Sequence, residues 1–234
     1  MQLHVGTSGY SYKEWKGPFY PEDLAAGDML SFYGGQLGAV EINNTFYRMP
    51  TASVLESWAA QVPGSFRFSV KASQKITHRR RLKGAEEETA YLVRTLEALG
   101  DRLGVLLFQL PPNLKKDVDR LTAFLGTLPG SLPVAFEFRH ESWNDPEVTE
   151  ALRAHGAALC CADTEEGEDD EPIVATASHG YLRLRRPGYE DADLERWARR
   201  VLDQPWERAF VFFKHEDAGA GPRMARRFVE IAGG

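Results

Sequence analysis

The chain has 234 residues, of which 43% are hydrophobic, and this is enough to build one large domain with a full core. Its 28 basic and 34 acidic residues give a formal charge of −6, which argues against a general nucleic-acid-binding or membrane-surface protein. The two cysteines, Cys160 and Cys161, are adjacent, and the start of the chain has no signal-like pattern, so we expect a reduced, cytoplasmic protein that does not associate with membranes.

Eight short strand-like segments recur along the chain, and their starts lie 23 to 39 residues apart, the length of a βα unit. Strand followed by helix, repeated in this way, is typical of a (β/α)8 barrel or of a large doubly wound sheet. We predict a single TIM-type (β/α)8 barrel over residues 1–234, because eight units fit a barrel of about 250 residues. The predicted strands are residues 3–8, 40–43, 66–71, 105–110, 134–139, 158–163, 181–186 and 210–214.

Start signals mark three of the predicted helices. Thr51 precedes the pattern ASVLESWAAQV, the acidic turn at 86–89 opens AYLVRTLEALG, and Asn144 or Asp145 caps a helix with Pro146 in its first turn. The sixth unit has no such pattern, since TEEGEDDEPIVATASH is rich in acid and lacks a helical period. We expect a solvated loop there in place of the sixth helix.

Alternation within the strands predicts which side chains enter the barrel. The outward faces meet the helices and should be apolar, as Phe66, Phe68 and Val70 are in the third strand. The same rule sends polar and charged side chains inward or to the carboxyl-end mouth. The charged ones are Glu41, Glu137 and Asp163 against Arg67, Lys71, Arg139, Arg183, Arg185 and Lys214.

This set holds three acids and six bases in a chain whose overall charge is negative. Buried ions cost several kcal/mol each unless they are paired or bound to a ligand, so the excess of bases points to an anion at the mouth. A second interpretation is purely structural: Glu137 with Arg139, or Glu41 with Lys71, could be ion pairs that fix strand register, and Arg67 could reach solvent at the bottom of the barrel.

Several stretches resemble the DUF72, or YecE-like, family of proteins. The resemblance implies a TIM-barrel fold, and it implies no particular reaction, because the family has no established biochemical activity. The matching stretches are VGTSGYSYKEWKGPFYP at 5–21, VEINNTFYRMP at 40–50, FRFSVKAS at 66–73, ITH at 76–78, LFQLPP at 107–112 and FEFRHESW at 136–143.

The resemblance is weaker near the end of the chain. On the seventh strand the family commonly has Tyr-x-Arg-x-His-Gly, whereas YLRLRR keeps Tyr181 and Arg183 and has Arg185 where that His falls. On the eighth strand the frequent Phe-Asn-Asn is replaced by a sequence with Lys214 and His215 at the Asn positions. Roles of the family's His and Asn residues therefore do not carry over to this chain.

Glu41 and Glu137 are the candidate acid/base pair, because unequal neighbours can push two carboxylates at one mouth to different pKa values. Asp163 would assist them. Lys71 and Arg139 would hold an anionic group, and Gln109 would orient it. The candidate ligand-binding residues as a whole are Ser8, Tyr10, Asn43, Lys71, His78, Gln109, Arg139, Trp143, Arg183, Arg185 and Lys214.

Two loops on the mouth side allow either a binding or a structural interpretation. In GTSGYSYKEW, small residues could let backbone amides approach a ligand while Tyr10, Tyr12 and Trp15 stack on it, or the aromatics could simply cover the top of the barrel. In ITHRRRLKG, His78 and residues 79–81 could bind a phosphodiester or form a solvated loop.

The first functional hypothesis is a non-redox acid/base enzyme that needs no cofactor and binds a small anionic or phosphorylated ligand. A nucleic-acid-binding or phosphodiesterase-type repair barrel is a less favoured alternative, and a non-catalytic ligand-sensing module is another. We predict no catalytic metal, because the sequence has no HExxH motif and divalent metals favour surroundings richer in acid than this mouth.

Overall fold

The computed structural model describes residues 1–163 and 172–233. In this part of the chain, strands β1 to β9 are Gln2–Ser8, Ala39–Ile42, Arg67–Lys71, Leu103–Gln109, Val134–Glu137, Ala158–Leu159, Cys161–Ala162, His179–Leu184 and Arg208–Phe213. Helices α1 to α7 are Met29–Gly34, Ala52–Ala59, Glu86–Leu96, Val118–Leu125, Pro146–His155, Asp191–Leu202 and Ala220–Gly233. All the predicted strands and the three predicted helix starts are present.

The strands form one parallel sheet in the order β6-β5-β4-β3-β2-β1-β9-β8-β7. The two ends of this order are halves of one segment, because only Cys160 separates β6 from β7. The sheet therefore curves into a nearly closed barrel in which residues 158–162 take the place of the sixth strand. The predicted TIM-type barrel is confirmed.

Local chemistry explains where the helices begin. The Thr51 side chain accepts a hydrogen bond from the Val54 N–H at the start of α2, as an N-cap does. Asp145, rather than Asn144, caps α5 by accepting from the Glu147 N–H, and Pro146 follows it. Three glutamates lie in the first turn of α3, where their negative charges interact favourably with the positive end of the helix dipole.

The buried apolar residues form two layers, one between the strands and the helices and one inside the barrel. The outward faces of the strands, including Phe68, Phe136 and Leu182, pack under the helices in the larger core. The inner layer is small and fills the barrel centre with Ala39, Val105, Leu107, Ala135, Ala158, Cys160, Tyr181, Phe210 and Phe212. Because this layer occupies the barrel centre, the charged side chains nearer the carboxyl ends of the strands meet at the mouth.

The sixth unit was expected to have a loop in place of its helix. Residues 164–171 lie outside the described residues, and residues 172–178, which are described, contain no helix. None of the helices in the described residues is long and apolar enough to span a bilayer.

Candidate functional site

Arg183 joins the two candidate carboxylates at the centre of the mouth. It lies on β8, and its guanidinium contacts Glu41 Oε1 through Nη2 at 2.9 Å and Glu137 Oε2 through Nη1 at 2.6 Å. All three residues are almost fully buried, with 2%, 0% and 1% of their surface exposed. Strands β5 and β8 flank the divided sixth strand and β2 lies three strands away from each, so Arg183 ties β2 to the opposite side of the barrel.

The carboxylate of Glu41, near the end of β2, accepts four further hydrogen bonds. Ser8 donates its hydroxyl to Oε1 at 2.7 Å, and the Asn43 amide donates to the same atom at 3.0 Å. The Tyr181 hydroxyl donates to Oε2 at 2.8 Å, while Nε of Arg183 adds a second contact to Oε1 at 3.2 Å. Both carboxylate oxygens therefore have donors, as a buried carboxylate needs.

Glu137 at the end of β5 is surrounded by cations. Gln109 donates to Oε2 at 2.8 Å, Arg139 contacts Oε1 through Nε at 3.2 Å, and Arg185 contacts Oε1 through Nη2 at 3.4 Å. The Glu137–Arg139 pair suggested by the sequence is thus present, but as one edge of a larger cluster. Glu41 pairs with Arg183, and not with Lys71 as the structural interpretation suggested.

The two carboxylates are held in the same protonation state. Burial raises both pKa values, but the cations and donors around each carboxylate together outweigh it and hold the pKa of Glu41 and of Glu137 below the usual 4.5. Arg183 contributes most to the lowering at both. The two shifts have the same direction, and the division of this pair into an acid and a base stays a prediction. At neutral pH each is a fixed negative charge, which makes it a poor proton donor.

Lys71 is a partly buried lysine at the mouth whose ammonium group faces an aromatic ring. It ends β3, is partly buried, and its Nζ lies 4.4 Å from the centre of the Phe46 ring. Burial, followed by the charge of Arg183, lowers its pKa from 10.5 to about 8, although Glu41 and Glu137 act in the opposite direction. Its amine is therefore much easier to deprotonate than that of an exposed lysine.

The mouth holds more positive than negative charge. Two carboxylates, Glu41 and Glu137, face the cationic side chains of Lys71, Arg139, Arg183 and Arg185, an excess of two charges when Lys71 is protonated. Arg67 is not part of this group, because it bonds the Gly64 and Phe66 carbonyls at the other end of β3. The excess is smaller than the sequence suggested, but its sign is the same.

Two buried polar atoms in this region make no hydrogen bond within the described part of the chain. They are Nε of Arg185 and Oδ1 of Asn43. Both residues already contact a carboxylate, Arg185 that of Glu137 and Asn43 that of Glu41. A ligand or water at the mouth would satisfy both atoms, since buried polar groups normally have partners.

Asp163 lies apart from the two glutamates. Its carboxylate accepts from the backbone N–H of Arg185 and from the Tyr189 hydroxyl, so it fixes the turn after β8. Tyr189 in turn accepts from the Arg186 N–H at 3.0 Å. These contacts support a structural role for Asp163 and do not bring it into the Arg183 cluster.

Two other candidate residues, Trp143 and Lys214, lie at the edge of the mouth or under its cover, and His215 follows Lys214. Trp143 is buried, stacks on Phe138 at 4.5 Å and donates its indole N–H to the Leu114 carbonyl, so its ring faces protein. Lys214 is exposed and its backbone N–H bonds the Leu184 carbonyl. His215 contacts the Arg186 carbonyl through Nε2.

The aromatic loop after β1 covers the barrel. Trp15 is fully buried and donates to the Glu216 carbonyl, while Tyr12 donates to the Ser8 carbonyl at 2.6 Å. The Tyr10 carbonyl accepts from Tyr20, and the Tyr10 ring packs near that of Tyr33. These contacts support the structural interpretation of the loop.

The basic loop after β3 contains the five-residue π-helix Lys75–Arg79. It positions His78, whose ring meets the Phe46 ring edge-to-face at 4.9 Å and whose Nδ1 contacts the Thr77 hydroxyl. Burial, together with the charge of Lys71, lowers the pKa of His78, so the imidazole is neutral at neutral pH. Arg80 pairs with Glu88 and Arg81 contacts Asn113, which engages two of the three consecutive arginines.

Sequence reasoning missed two residues of the site. Tyr181, which the sequence suggested only through its match to the family pattern, donates its hydroxyl to Glu41. Phe46, in the loop after β2, packs against both Lys71 and His78 and was not considered at all. Its position in a short segment after a barrel strand, on the mouth side, was the available signal.

The described residues also show how the possible metal ligands and the two cysteines are arranged. No group of three or more His, Cys, Asp or Glu side chains within residues 1–163 and 172–233 is arranged to hold a metal ion. Both cysteines are buried, and burial raises the pKa of Cys160, which packs in the barrel centre. A thiol in such a place is a packing residue.

A groove on the outer surface lies between α4 and α5. It is lined by residues that include Lys116, Asp117, Glu147 and Glu150. Lys116 bridges Asp145 and Glu147 there, at 2.6 and 3.0 Å. These are exposed helix-end contacts, and none of the groups in the Arg183 cluster lines the groove.

Comparison with known proteins gives the same picture along the whole chain. The sequence model of the family described as "Protein of unknown function DUF72" matches residues 4–234. The UPF0759 protein YunF of Bacillus subtilis is 25% identical over 268 residues, which cover 98% of this chain and 94% of that protein. The UPF0759 protein YecE of Escherichia coli is 30% identical over 140 residues, 59% of this chain and 48% of that protein.

Solved structures agree with the barrel. A DUF72 family protein from Thermotoga maritima superposes with a TM-score of 0.88 at 27% identity, over 100% of both chains. A DUF72 family protein from Enterococcus faecalis has a TM-score of 0.79 at 18% identity over 99% of this chain and 98% of that one, and it shows the fold alone. The match over nearly its whole length shows that the chain belongs to DUF72, a family of proteins of unknown function.

Proposed function

We propose that the protein binds a small anionic or phosphorylated ligand at the carboxyl-end mouth of the barrel and acts on it by acid/base chemistry without a redox cofactor. The observation that carries the proposal is the excess of cations around Glu41 and Glu137. Arg183 is fully engaged by these two carboxylates, whereas Lys71, Arg139 and Arg185 retain binding capacity.

The geometry favours a small ligand. Arg139 uses Nε for Glu137, and in the described chain neither of its terminal nitrogens has a partner. Arg185 leaves Nε without one. Guanidinium groups bind carboxylates and phosphates through two donors at once. These two arginines therefore suit a small ligand with one or two carboxylate or phosphate groups.

The proposed acid/base group is Lys71 or His78, and Glu41 and Glu137 supply fixed charge. An efficient proton-transfer group has a pKa near the working pH. The pKa of Lys71 is about 8, whereas those of both glutamates are lowered. His78 is neutral and can accept a proton beside Lys71.

The test uses inorganic phosphate and oxalate as probes. Either should raise the melting temperature, because a ligand at 100 times its Kd stabilises the fold by about 2.7 kcal/mol. Calorimetry should show an affinity about tenfold or more lower for Arg139→Ala and for Arg185→Ala, since a charged hydrogen bond contributes about 1.5–3 kcal/mol. Arg153→Ala, at an exposed ion pair on α5, is the matched control. Equal affinities for the double variant R139A/R185A and the control would refute the proposal.

A further inference from the structure

We propose that Lys71 is a covalent catalyst whose side-chain amine forms a Schiff base with an aldehyde or ketone that carries a carboxylate or phosphate group. This inference rests on the proposed anion site for the charged end of the substrate. It adds a reacting atom, Nζ of Lys71, and a substrate class to that site.

The position of Lys71 is that of a reacting group. It is the last residue of β3, at the end of the barrel where TIM-barrel active sites are built. Within the described chain it makes no ion pair with a carboxylate, although Glu41 and Glu137 are both at the same mouth. Those carboxylates are occupied by Arg183, Arg139 and Arg185 instead.

A lysine whose role was to balance charge would contact one of these carboxylates. Nζ of Lys71 faces an aromatic ring instead, that of Phe46 at 4.4 Å. The ring is an apolar neighbour that limits hydration of the ammonium, and it leaves the nitrogen lone pair free once the proton is lost. Lysines that act as nucleophiles are activated by such desolvation or by a neighbouring cation.

Both forms of activation are present around Lys71. Burial and the charges of Arg183 and Arg139 together lower its pKa to about 8, against the opposing effect of Glu41 and Glu137. His78, whose pKa is lowered by burial and by the charge of Lys71, meets the same Phe46 ring edge-to-face. At pH 7.5 roughly a quarter of such an amine is unprotonated, against about one part in a thousand for a lysine of pKa 10.5.

The reaction needs no oxidant or reductant. The neutral amine attacks the carbonyl carbon, forming a C–N bond, and the oxygen takes up a proton to give a carbinolamine. Loss of the hydroxyl as water, with the remaining amine proton, leaves the C=N bond, which gains a proton to become an iminium ion. The iminium draws electrons from an adjacent C–H or C–C bond, and hydrolysis by water returns the free amine. His78 is placed to accept and return the protons.

The substrate class follows from the neighbours of Lys71. Arg139 and Arg185 would bind the anionic end of the molecule, which sets the carbonyl over Nζ. Glu41 and Glu137 are held ionised by Arg183, so they remain negative beside the iminium as it forms. Aldol cleavage, dehydration and decarboxylation are the reaction types that an iminium of this kind permits.

The test is reductive trapping with pyridoxal 5′-phosphate, an aldehyde that carries a phosphate, followed by borohydride and peptide mass spectrometry. We expect the reduced adduct on Lys71 about tenfold or more faster at pH 7 than on the exposed mouth residue Lys214, with a labelling rate that rises through a midpoint near pH 8. Lys71→Arg, which keeps the charge, should lose this adduct and label elsewhere as the wild type does. Labelling of Lys71 no faster than of Lys214 in the wild type would overturn the inference.

A second aldehyde separates this inference from the anion site. Pyridoxal lacks the phosphate, and we expect it to label Lys71 more slowly than the phosphorylated probe does. Equal labelling rates for the two aldehydes would agree with a reactive amine at Lys71, but they would refute the proposal that the substrate carries an anionic group. Phosphate binding that is lost in R139A/R185A, together with no preferential trapping on Lys71, would support the anion site and refute the Schiff base.

Discussion

Arg183→Met would leave two buried carboxylates without their common counter-ion. Methionine has a similar length and fills the space, so the variant removes the charge and the donors while it keeps most of the packing. Glu41 would retain Ser8, Asn43 and Tyr181, and Glu137 would retain Gln109 and two partly exposed arginines. Glu41 would therefore suffer most, since Arg183 is its only ion-pair partner in the described residues.

The size of the loss follows from the two contacts. At about 4 Å between charge centres and an effective dielectric constant of about 20, each pair has a gross attraction of about 4 kcal/mol. Removing one partner of a buried pair costs about 3–5 kcal/mol, because the remaining charge is uncompensated. A domain with about 5–15 kcal/mol of stability would lose a large part of it.

Urea unfolding at several pH values measures both the loss and its cause. With an m-value of about 3 kcal/mol/M, the midpoint at pH 7 should fall by about 1 M or more. In the wild type the folded pKa of each glutamate is below the unfolded 4.5, so the stability they add is present above pH 4.5 and lost below it. In the variant Glu41 has no ion-pair partner and burial raises its folded pKa above the unfolded value, so stability should increase as the pH falls from 7 towards 5.

The matched control is Arg153→Met, which removes an exposed ion pair with Glu150 on α5 and should change stability by about 1 kcal/mol or less. Replacing Arg183, Glu41 and Glu137 together by apolar residues should recover part of the loss, since neither glutamate is then left buried without its counter-ion. A single variant as stable as the control, with an unchanged pH dependence, would refute the account of the cluster given above.

Two further predictions concern the barrel and its ligand. Gly6→Ala should prevent folding or cost more than about 3 kcal/mol, because the new Cβ would lie 1.8 Å from the Ala39 carbonyl oxygen; Gly130→Ala, with nothing within 4 Å, is the control for urea unfolding. A fluorescent oligonucleotide should show no salt-dependent binding near physiological ionic strength, because Arg80 is paired with Glu88; binding that weakens steeply with salt and is lost in Arg79→Ala would favour the nucleic-acid alternative instead.

The strands and their faces could be predicted from the sequence because they depend on local alternation. Phe68 and Phe136 lie outside and Glu41 and Glu137 inside, since a period of two leaves few choices once a barrel is assumed. The helix starts were equally local, with Thr51 and the Asp145 carboxylate acting within three residues of themselves. Sequence patterns at this range carry most of the fold.

The partners within the mouth could not be predicted in the same way. Glu41 and Arg183 are 142 residues apart in the chain, and their contact depends on how the barrel closes. The isolation of Lys71 is a consequence of that pairing, because the acids that could have bound it are occupied elsewhere. A count of charged residues predicts the sign of the net charge at the mouth. It does not predict which cationic side chain is left without a carboxylate partner.

The divided sixth strand links the integrity of the barrel to its charged mouth. Residues 158–159 pair with β5 through two residue pairs and residues 161–162 with β8 through two, whereas β8 and β9 share six. The contact between Glu137 of β5 and Arg183 of β8 spans this seam. Local opening of the weakest joint in the ring would thus pull the two charges apart, so amide hydrogen exchange at residues 158–162 reports directly on the assembly of the mouth.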